Sequence, residues 1–260
     1  MSVEGSSAGA APRGQQETSG PGRVVVSLCT YNEHDNLAEL IPEIRRVAHA
    51  ADIVVIDDNS PDGTADLIRE FAGRDRQVHL VSRAGKLGLG TATIEALRFA
   101  RDGGYDWLLN LDADCSHPPR FIPSLLAATS QADVVIGSRY VPGGKIPDWP
   151  FHRRLMSWGV NTLARTSLGL KTRDNSGAFR CYRMSKASQL VDAKFLAKGY
   201  AFQEEVLYRL KRLGATFVEV PITFEERKFG KTKINLKEIV AAIAVMARLG
   251  LSRMVPRGPR

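Results

Sequence analysis

The sequence has little that would cross-link or anchor it. Its three cysteines, Cys29, Cys115 and Cys181, are odd in number and far apart, which excludes a disulfide framework and any zinc-type spacing. That usage fits a reducing, cytosolic compartment. No apolar run reaches the roughly 18 residues of a membrane-spanning helix. The N-terminus has no charged segment leading into an apolar stretch, so no signal peptide is expected either. His34, His49, His79, His117 and His152 show no metal-ligand spacing. No nucleic-acid-binding motif interleaves aromatics with the basic residues, so nucleic acid is not an expected partner. There is no internal repeat, and no glycine-rich phosphate loop follows the first apolar run, which argues against a nicotinamide dehydrogenase.

What is present is an ordinary globular composition, 43% apolar and 25% charged over 260 residues. The net charge of +8 conceals a division. Through Ser138 there are 12 Lys/Arg against 19 Asp/Glu, a balance of −7; from Arg139 onward there are 24 against 9, a balance of +15. An acidic half suits a cation and its ligand, and a basic half suits phosphate.

Residues 1–22 are rich in Gly, Ser, Ala and Pro without apolar periodicity, which predicts a disordered leader. Apolar β-branched runs at 24–28 and 53–56, and further runs at 78–82, 107–111 and 134–137, read as buried strands. Helical spacing fills 36–50, 64–71 and 90–102 between them. Strands alternating with helices predict right-handed crossovers and a mainly parallel central sheet flanked by helices. Ligands then gather beyond the C-terminal strand ends. Those ends are polar: Thr30-Tyr31-Asn32-Glu33, Asp57-Asp58 and Asp112-Ala113-Asp114. Later elements are expected as helices at 151–168, 204–213 and 236–251, and a strand at 216–221. The last helix either caps the core or lies in a membrane interface.

Two carboxylates at i and i+2 after a buried strand repel unless a positive group separates them. Hard oxygen ligands suit Mg2+ or Mn2+. Taken alone, Asp112 and Asp114 read more readily as two solvated turn aspartates.

They are not alone. The segments at 25–33 and 55–64, with Asp112-Ala113-Asp114, resemble the successive elements of family 2 glycosyltransferases with the GT-A fold, a Rossmann-like nucleotide-diphospho-sugar transferase fold. Gly85-Lys86-Leu87-Gly88-Leu89-Gly90, Ser116-His117-Pro118-Pro119, Gly137-Ser138-Arg139-Tyr140, Gly199-Tyr200-Ala201-Phe202-Gln203 and residues 226–233 further resemble the dolichol- and polyprenol-phosphate mannose synthases. The resemblance runs in order from Val24 to Leu251. It implies one catalytic domain over 23–251, with a donor and metal half at 23–138 and an acceptor half at 139–251, followed by a basic tail at 252–260.

The resemblance also implies roles. Tyr31, Glu33, Ile56 and Asp58 would lie around the donor's base and ribose. Asp112 and Asp114 would hold Mg2+ or Mn2+, with Ala113 leaving room for the donor and Ser116 standing where relatives carry a Gln ligand. Arg139, Arg227 and Lys233 would meet the phosphates, and Arg139 with Arg153 or Arg154 would take the acceptor phosphate. Cys29 replaces the usual proline of the first motif. Lys86 is equally suited to touching phosphate or starting a helix, and Glu204-Glu205 either orient arginines or begin a solvated helix. GDP-mannose would be the donor and dolichyl or another polyprenyl phosphate the acceptor. The chain would act at the cytoplasmic face of a membrane, reached through its basic surface, the terminal helix or a small membrane-anchoring subunit. Transfer from UDP-glucose or another nucleotide sugar, and a nucleotide-sugar-binding module without turnover, are the alternatives.

Overall fold

The computed structural model describes residues 21–147, 149–197, 199, 201–226 and 236–254, apart from the side chains of 236–241 and 252–254. Residues 1–20 of the leader expected at 1–22, Arg227, Lys233, and residues 255–260 of the tail expected at 252–260 lie outside the described residues; residues 252–254 belong to the last helix.

Strand β1 (Val24–Thr30), helix α1 (His34–Val47), β2 (Asp52–Asp57), α2 (Thr64–Arg74), β3 (Val78–Ser82), α3 (Leu89–Asp102) and β4 (Trp107–Asp112) form the first half. Next come α4 (Ile122–Ala127), β5 (Val134–Ser138), α5 (Phe151–Leu168), β6 (Arg180–Arg183) and the single turn α6 (Met184–Ala187). The chain continues through α7 (Phe202–Arg212), β7 (Phe217–Pro221) and α8 (Leu236–Met254). Among the described residues the strands make one sheet in the order β3-β2-β1-β4-β6-β5-β7. All pairings are parallel except those of β6, which runs antiparallel between β4 and β5. The alternation expected from sequence is present, with helix ends differing by a few residues; β6 is an addition.

Parallel strands buried on both faces read as unbroken apolar runs, and here the side-chain alternation divides each run between two cores. Val25, Val54, Ile56, Leu108 and Ile136 join α3, α5, α7 and α8 on one face. Val26, Leu28, Ile53, Val55, Leu109 and Leu111 meet α1, α2 and α4 on the other. Helix α8 covers the first core with Ala242, Met246 and Leu249, spaced to share one helical face, and Gly250 lets it approach the Ser167 backbone of α5. It therefore caps the core, one of the two expectations for it. No helix among the described residues is long and apolar enough to cross a membrane.

Register places the site. Cys29 pairs with both Ile56 and Asp112, and Thr30 with Asp57, so β1, β2 and β4 end level with one another. Because β6 runs the other way, its first residue Arg180 pairs with Asn110 and Ile136 near the same edge. The segment preceding β6 is thereby delivered to the rim where the parallel strands finish.

Two glycines test the packing. A Cβ on Gly90 would lie 2.8 Å from the Phe202 ring, which is buried and packed on Phe195 with centroids 4.8 Å apart. Overpacking of about 1–3 kcal/mol outweighs the gain in helix propensity of under about 1 kcal/mol. Gly90→Ala should lower the melting temperature by about 2–10 °C in thermal denaturation. A Cβ on Gly73, in α2, would meet nothing within 4 Å. Gly73→Ala should raise it by about 1–2 °C.

Candidate active site

The first two rim loops are stitched to each other. Backbone N–H groups of Asn32, Glu33 and His34 donate to Ser60 Oγ (2.9 Å), Thr64 Oγ1 (3.3 Å) and Asp62 Oδ2 (3.2 Å). The opening of α1 is thus capped by the neighbouring loop rather than by its own residues. Asp57 is buried and accepts from Thr30 Oγ1 at 3.1 Å and the Ser60 N–H at 3.0 Å. Glu33 accepts from Asn36 Nδ2 at 2.6 Å.

Two residues expected around the donor are engaged elsewhere. Ile56 is fully buried, because strand alternation points it into the core with Val54; only its backbone is left for a ligand. Asp58 accepts from the N–H groups of Leu87 and Gly88 at 3.0 and 3.1 Å and pairs with Arg83 Nη1 at 2.8 Å. Its carboxylate anchors the loop at 85–90. That loop sets Lys86 Nζ 4.1 Å from the centre of the Tyr31 ring, a cation–π contact on the ring expected to stack with a base.

At the end of β4, Asp112 is part-exposed while Ala113 and Asp114 are buried. Asp114 Oδ1 accepts from the Ser116 N–H (3.0 Å) and hydroxyl (2.6 Å). Ser116 is itself fully buried and orients the Asp114 carboxylate. Buried His117 packs between Phe179 and Phe224, and its Nδ1 lies 3.2 Å from the Asp112 N and 3.5 Å from Asp112 Oδ2. Among the described residues no three His, Cys, Asp or Glu side chains form a metal cage. Two carboxylates with a supporting hydroxyl fit Mg2+ or Mn2+, which complete their shells with water and substrate phosphate, and do not fit a zinc site.

Across the rim stands Arg139, at the end of β5. Its Nε and Nη2 donate to the two oxygens of Asp174, each at 2.7 Å, and its backbone N–H donates to Asp174 Oδ2 at 3.0 Å. Nη2 also meets Ser176 Oγ at 3.0 Å. The rings of Tyr140, Trp149 and Phe224 surround the guanidinium at 5.4–5.5 Å. Burial works against its charge, but the Asp174 carboxylate reverses this and holds its pKa above the ordinary value, with a smaller contribution from Asp112. Asp174, although buried, is held below the usual carboxylate range by Arg139. Among the described residues nothing accepts from Nη1, which leaves this fork an edge for an anion.

Of the two arginines expected beside it, Arg154 is engaged by the loop. It donates to the carbonyls of Trp149, Ile146 and Pro147 at 2.8–2.9 Å. Arg153 lies 4.0 Å over the Trp149 ring, next to Arg139's own contact with that ring.

Sequence reasoning missed Asp174 and Arg180. Fully buried Arg180 donates to Asn175 O (2.5 Å), Gln203 O (2.8 Å) and Gln203 Oε1 (3.1 Å). Glu205 takes Arg209 Nε at 2.8 Å and the N–H groups of Leu196 and Ala197, so it does orient an arginine. Glu204 is buried, and its Oε2 has no hydrogen-bond partner. Desolvation pushes its pKa up to about 7 against the opposing pull of Arg180.

Folded Glu204 keeps its proton to about pH 7, whereas an unfolded glutamate loses it near 4.5. Stability contributed by the neutral form is complete below the lower value and falls as pH rises through the higher one. The loss amounts to on the order of 3 kcal/mol. Glu204→Gln should remove it, giving a higher melting temperature than wild type at pH 8 and a smaller difference at pH 5 in thermal melts.

Comparison with known proteins agrees with this geometry. Residues 25–191 match the family described as glycosyl transferase family 2. The chain is 40% identical over 230 residues to an undecaprenyl-phosphate mannosyltransferase of Micrococcus luteus, covering 88% of this chain and 95% of that one. It is 37% identical over 237 residues to a polyprenol monophosphomannose synthase of Mycolicibacterium smegmatis, covering 90% and 89%. Glucosyl-3-phosphoglycerate synthase of Mycobacterium tuberculosis, solved with Mn2+, uridine diphosphate and glucosyl-3-phosphoglycerate, superposes with a TM-score of 0.64 at 20% identity, covering 91% of this chain and 81% of that one. By these matches, and with the GT-A fold that carries the site, the chain belongs to the family 2 glycosyltransferases.

Proposed function

We propose that this chain transfers mannose from GDP-mannose to a polyprenyl phosphate, with inversion at the anomeric carbon and no covalent intermediate. The observation that carries the reading is the juxtaposition of two opposite charges at one edge. Asp112 stands close enough to Arg139 to favour its charged form, while Asp174 holds Arg139 as a preset fork. Relatives over nearly the full length are named as enzymes that mannosylate polyprenyl phosphates.

The chemistry asks for no general base. A phosphate monoester has a second pKa near 6 and is largely dianionic at neutral pH, so the nucleophile arrives charged. The difficulty is electrostatic: one anionic group must be brought against another. Asp112 and Asp114 would hold Mg2+ or Mn2+, with Ser116 and His117 steadying them, and the cation would supply Lewis-acid stabilisation of the departing diphosphate. Arg139 and Arg153 receive the acceptor phosphate, Arg139 with the planar geometry that suits phosphate oxygens. Tyr31 offers the base a stacking face once Lys86 moves aside. Arg227 and Lys233 are proposed phosphate ligands on the strength of the family resemblance, and a membrane-facing location follows from a lipid acceptor.

The test is transfer of label from GDP-mannose or UDP-glucose to a short-chain isoprenyl phosphate, with Mg2+ or Mn2+ added. Label should pass from GDP-mannose; transfer from UDP-glucose alone would keep the class and overturn the donor. Asp114→Ala should reduce transfer by at least about 100-fold, and Arg139→Lys, which keeps the charge but loses the fork, by about 10-fold or more. Full activity in Asp114→Ala would remove the metal argument.

A further inference from the structure

Behind the Arg139 fork lies a buried polar cluster that the proposed reaction does not use. Arg180, Gln203 and Glu204 are all buried, and Gln203 Nε2 and Glu204 Oε2 have no hydrogen-bond partner among the described residues. Buried polar groups are normally paired, so an unpaired carboxylate oxygen close to a binding site calls for a reason.

Arg180 joins this cluster to the fork. Its Nη1 donates to Gln203 O and Gln203 Oε1 at the start of α7, and its Nη2 donates to Asn175 O. Asn175 follows Asp174, whose two oxygens grip Arg139. Among the described residues the hydrogen-bond acceptors of Arg180 are all neutral, so its charge is answered only at longer range. Asp174 and Glu204 both feel that charge, and Glu204 also feels Asp174 and Arg139. Glu205, its neighbour on α7, is turned instead to Arg209 and to the N–H groups of Leu196 and Ala197. Glu204 is therefore the α7 carboxylate that belongs to the cluster.

The charges decide what it can do. Arg139 stays cationic and Asp174 stays ionised, each held so by the other, and Arg180 adds a second positive charge. Tyr182, beside Arg180 on β6, is kept neutral by burial. With Glu204 protonated the cluster is net positive; with Glu204 ionised it is neutral. Desolvation places that change at about 7, where a phosphate monoester is largely dianionic. A dianion at the outer edge of Arg139 thus meets a positive cluster or a neutral one according to a single buried proton.

We propose that Glu204 is a positioning residue for the acceptor phosphate: acting through Arg180 and the Asp174–Arg139 pair, its proton strengthens the hold of the fork on a dianion. That the ligand is a phosphate rests on the acceptor named under the proposed function. The effect is reciprocal by linkage, so a bound dianion tightens the hold of Glu204 on its proton. Transfer converts the phosphate monoester into a diester with one negative charge in place of two. A positive cluster holds that product less tightly than the acceptor, which favours exchange of one for the other.

The experiment compares the full chain with Glu204→Gln, which keeps the shape of the neutral acid and cannot ionise. Titration calorimetry measures binding of a short-chain isoprenyl phosphate from about pH 6 to about pH 8.5, with transfer kinetics alongside. Ionisation of the phosphate itself is common to both proteins, so the ratio of their dissociation constants isolates Glu204. Across this range the affinity of the wild type relative to the variant should fall by at least about fivefold. Near neutrality, binding in two buffers of different ionisation enthalpy should show more proton uptake by the wild type than by the variant. The acceptor KM should follow the dissociation constant, while donor KM and kcat stay within about twofold of each other in the two proteins. A glutamate that served the fold alone would move the melting temperature and leave the affinity ratio level with pH. That level ratio overturns the proposal, as do equal proton uptake and an absence of binding by the wild type. A pH-dependent ratio without transfer from any donor counts against the reaction and leaves the positioning role intact; transfer with a level ratio does the reverse.

Discussion

A guanidinium removed from water must have its charge answered at once, and at Arg139 it is answered by Asp174. Desolvating the pair is costly, and good geometry with added hydrogen bonds is what makes it tolerable. Here three donors of Arg139 converge on one carboxylate, and the Asp174 oxygens also receive the Gly177 N–H. The surrounding structure is arranged so that these two residues, 35 positions apart, can meet. Strand β5 ends at the rim to deliver the arginine, and β6 runs backwards so that the chain before it reaches the same edge. Glu219 fixes the approach, accepting the Arg173 and Asp174 N–H groups at 2.8 and 2.9 Å.

The rim that faces this pair is built from residues under backbone constraint. Asn32, Asn59 and Cys115 have φ of 62°, 59° and 62°, each a short way past the end of β1, β2 or β4. Asparagine accepts this left-handed region with modest cost, whereas for cysteine it is uncommon. Constraint of this kind persists only where neighbouring contacts over-determine the loop. Such contacts are present: Ser60, Asp62 and Thr64 bind the first loop, and Ser116 binds Asp114.

Much of this was open to inspection in the residues themselves. The apolar runs identified the parallel strands because both faces of the sheet are covered. Their polar ends identified the rim, since a carboxylate after a buried strand has few places to go. Strand β6 escaped because its four residues begin and end with arginine, and Arg180 is buried through hydrogen bonds that no periodicity announces. Asp174 was invisible for a related reason: its importance depends on a long-range meeting with Arg139. Ile56, Asp58, Ser116 and Arg154 also have partners or packing within the protein that no motif announces. A motif says that a residue type matters at a position, but not whether its side chain meets a ligand or holds another part of the protein in place.

The stitching of the first two loops has a mechanical consequence. With α1 capped by side chains from the β2–α2 connection, and Asp58 tied onward to the loop before α3, these three connections cannot open independently. A hinge between them would strand several donors and acceptors together. The connection from β5 to α5 is tied separately, by Arg154 on the Ile146, Pro147 and Trp149 carbonyls and by Lys145 between Ile222 and Phe224. The donor side is thus one mechanical block, in which the loss of a single tie is shared by all three connections.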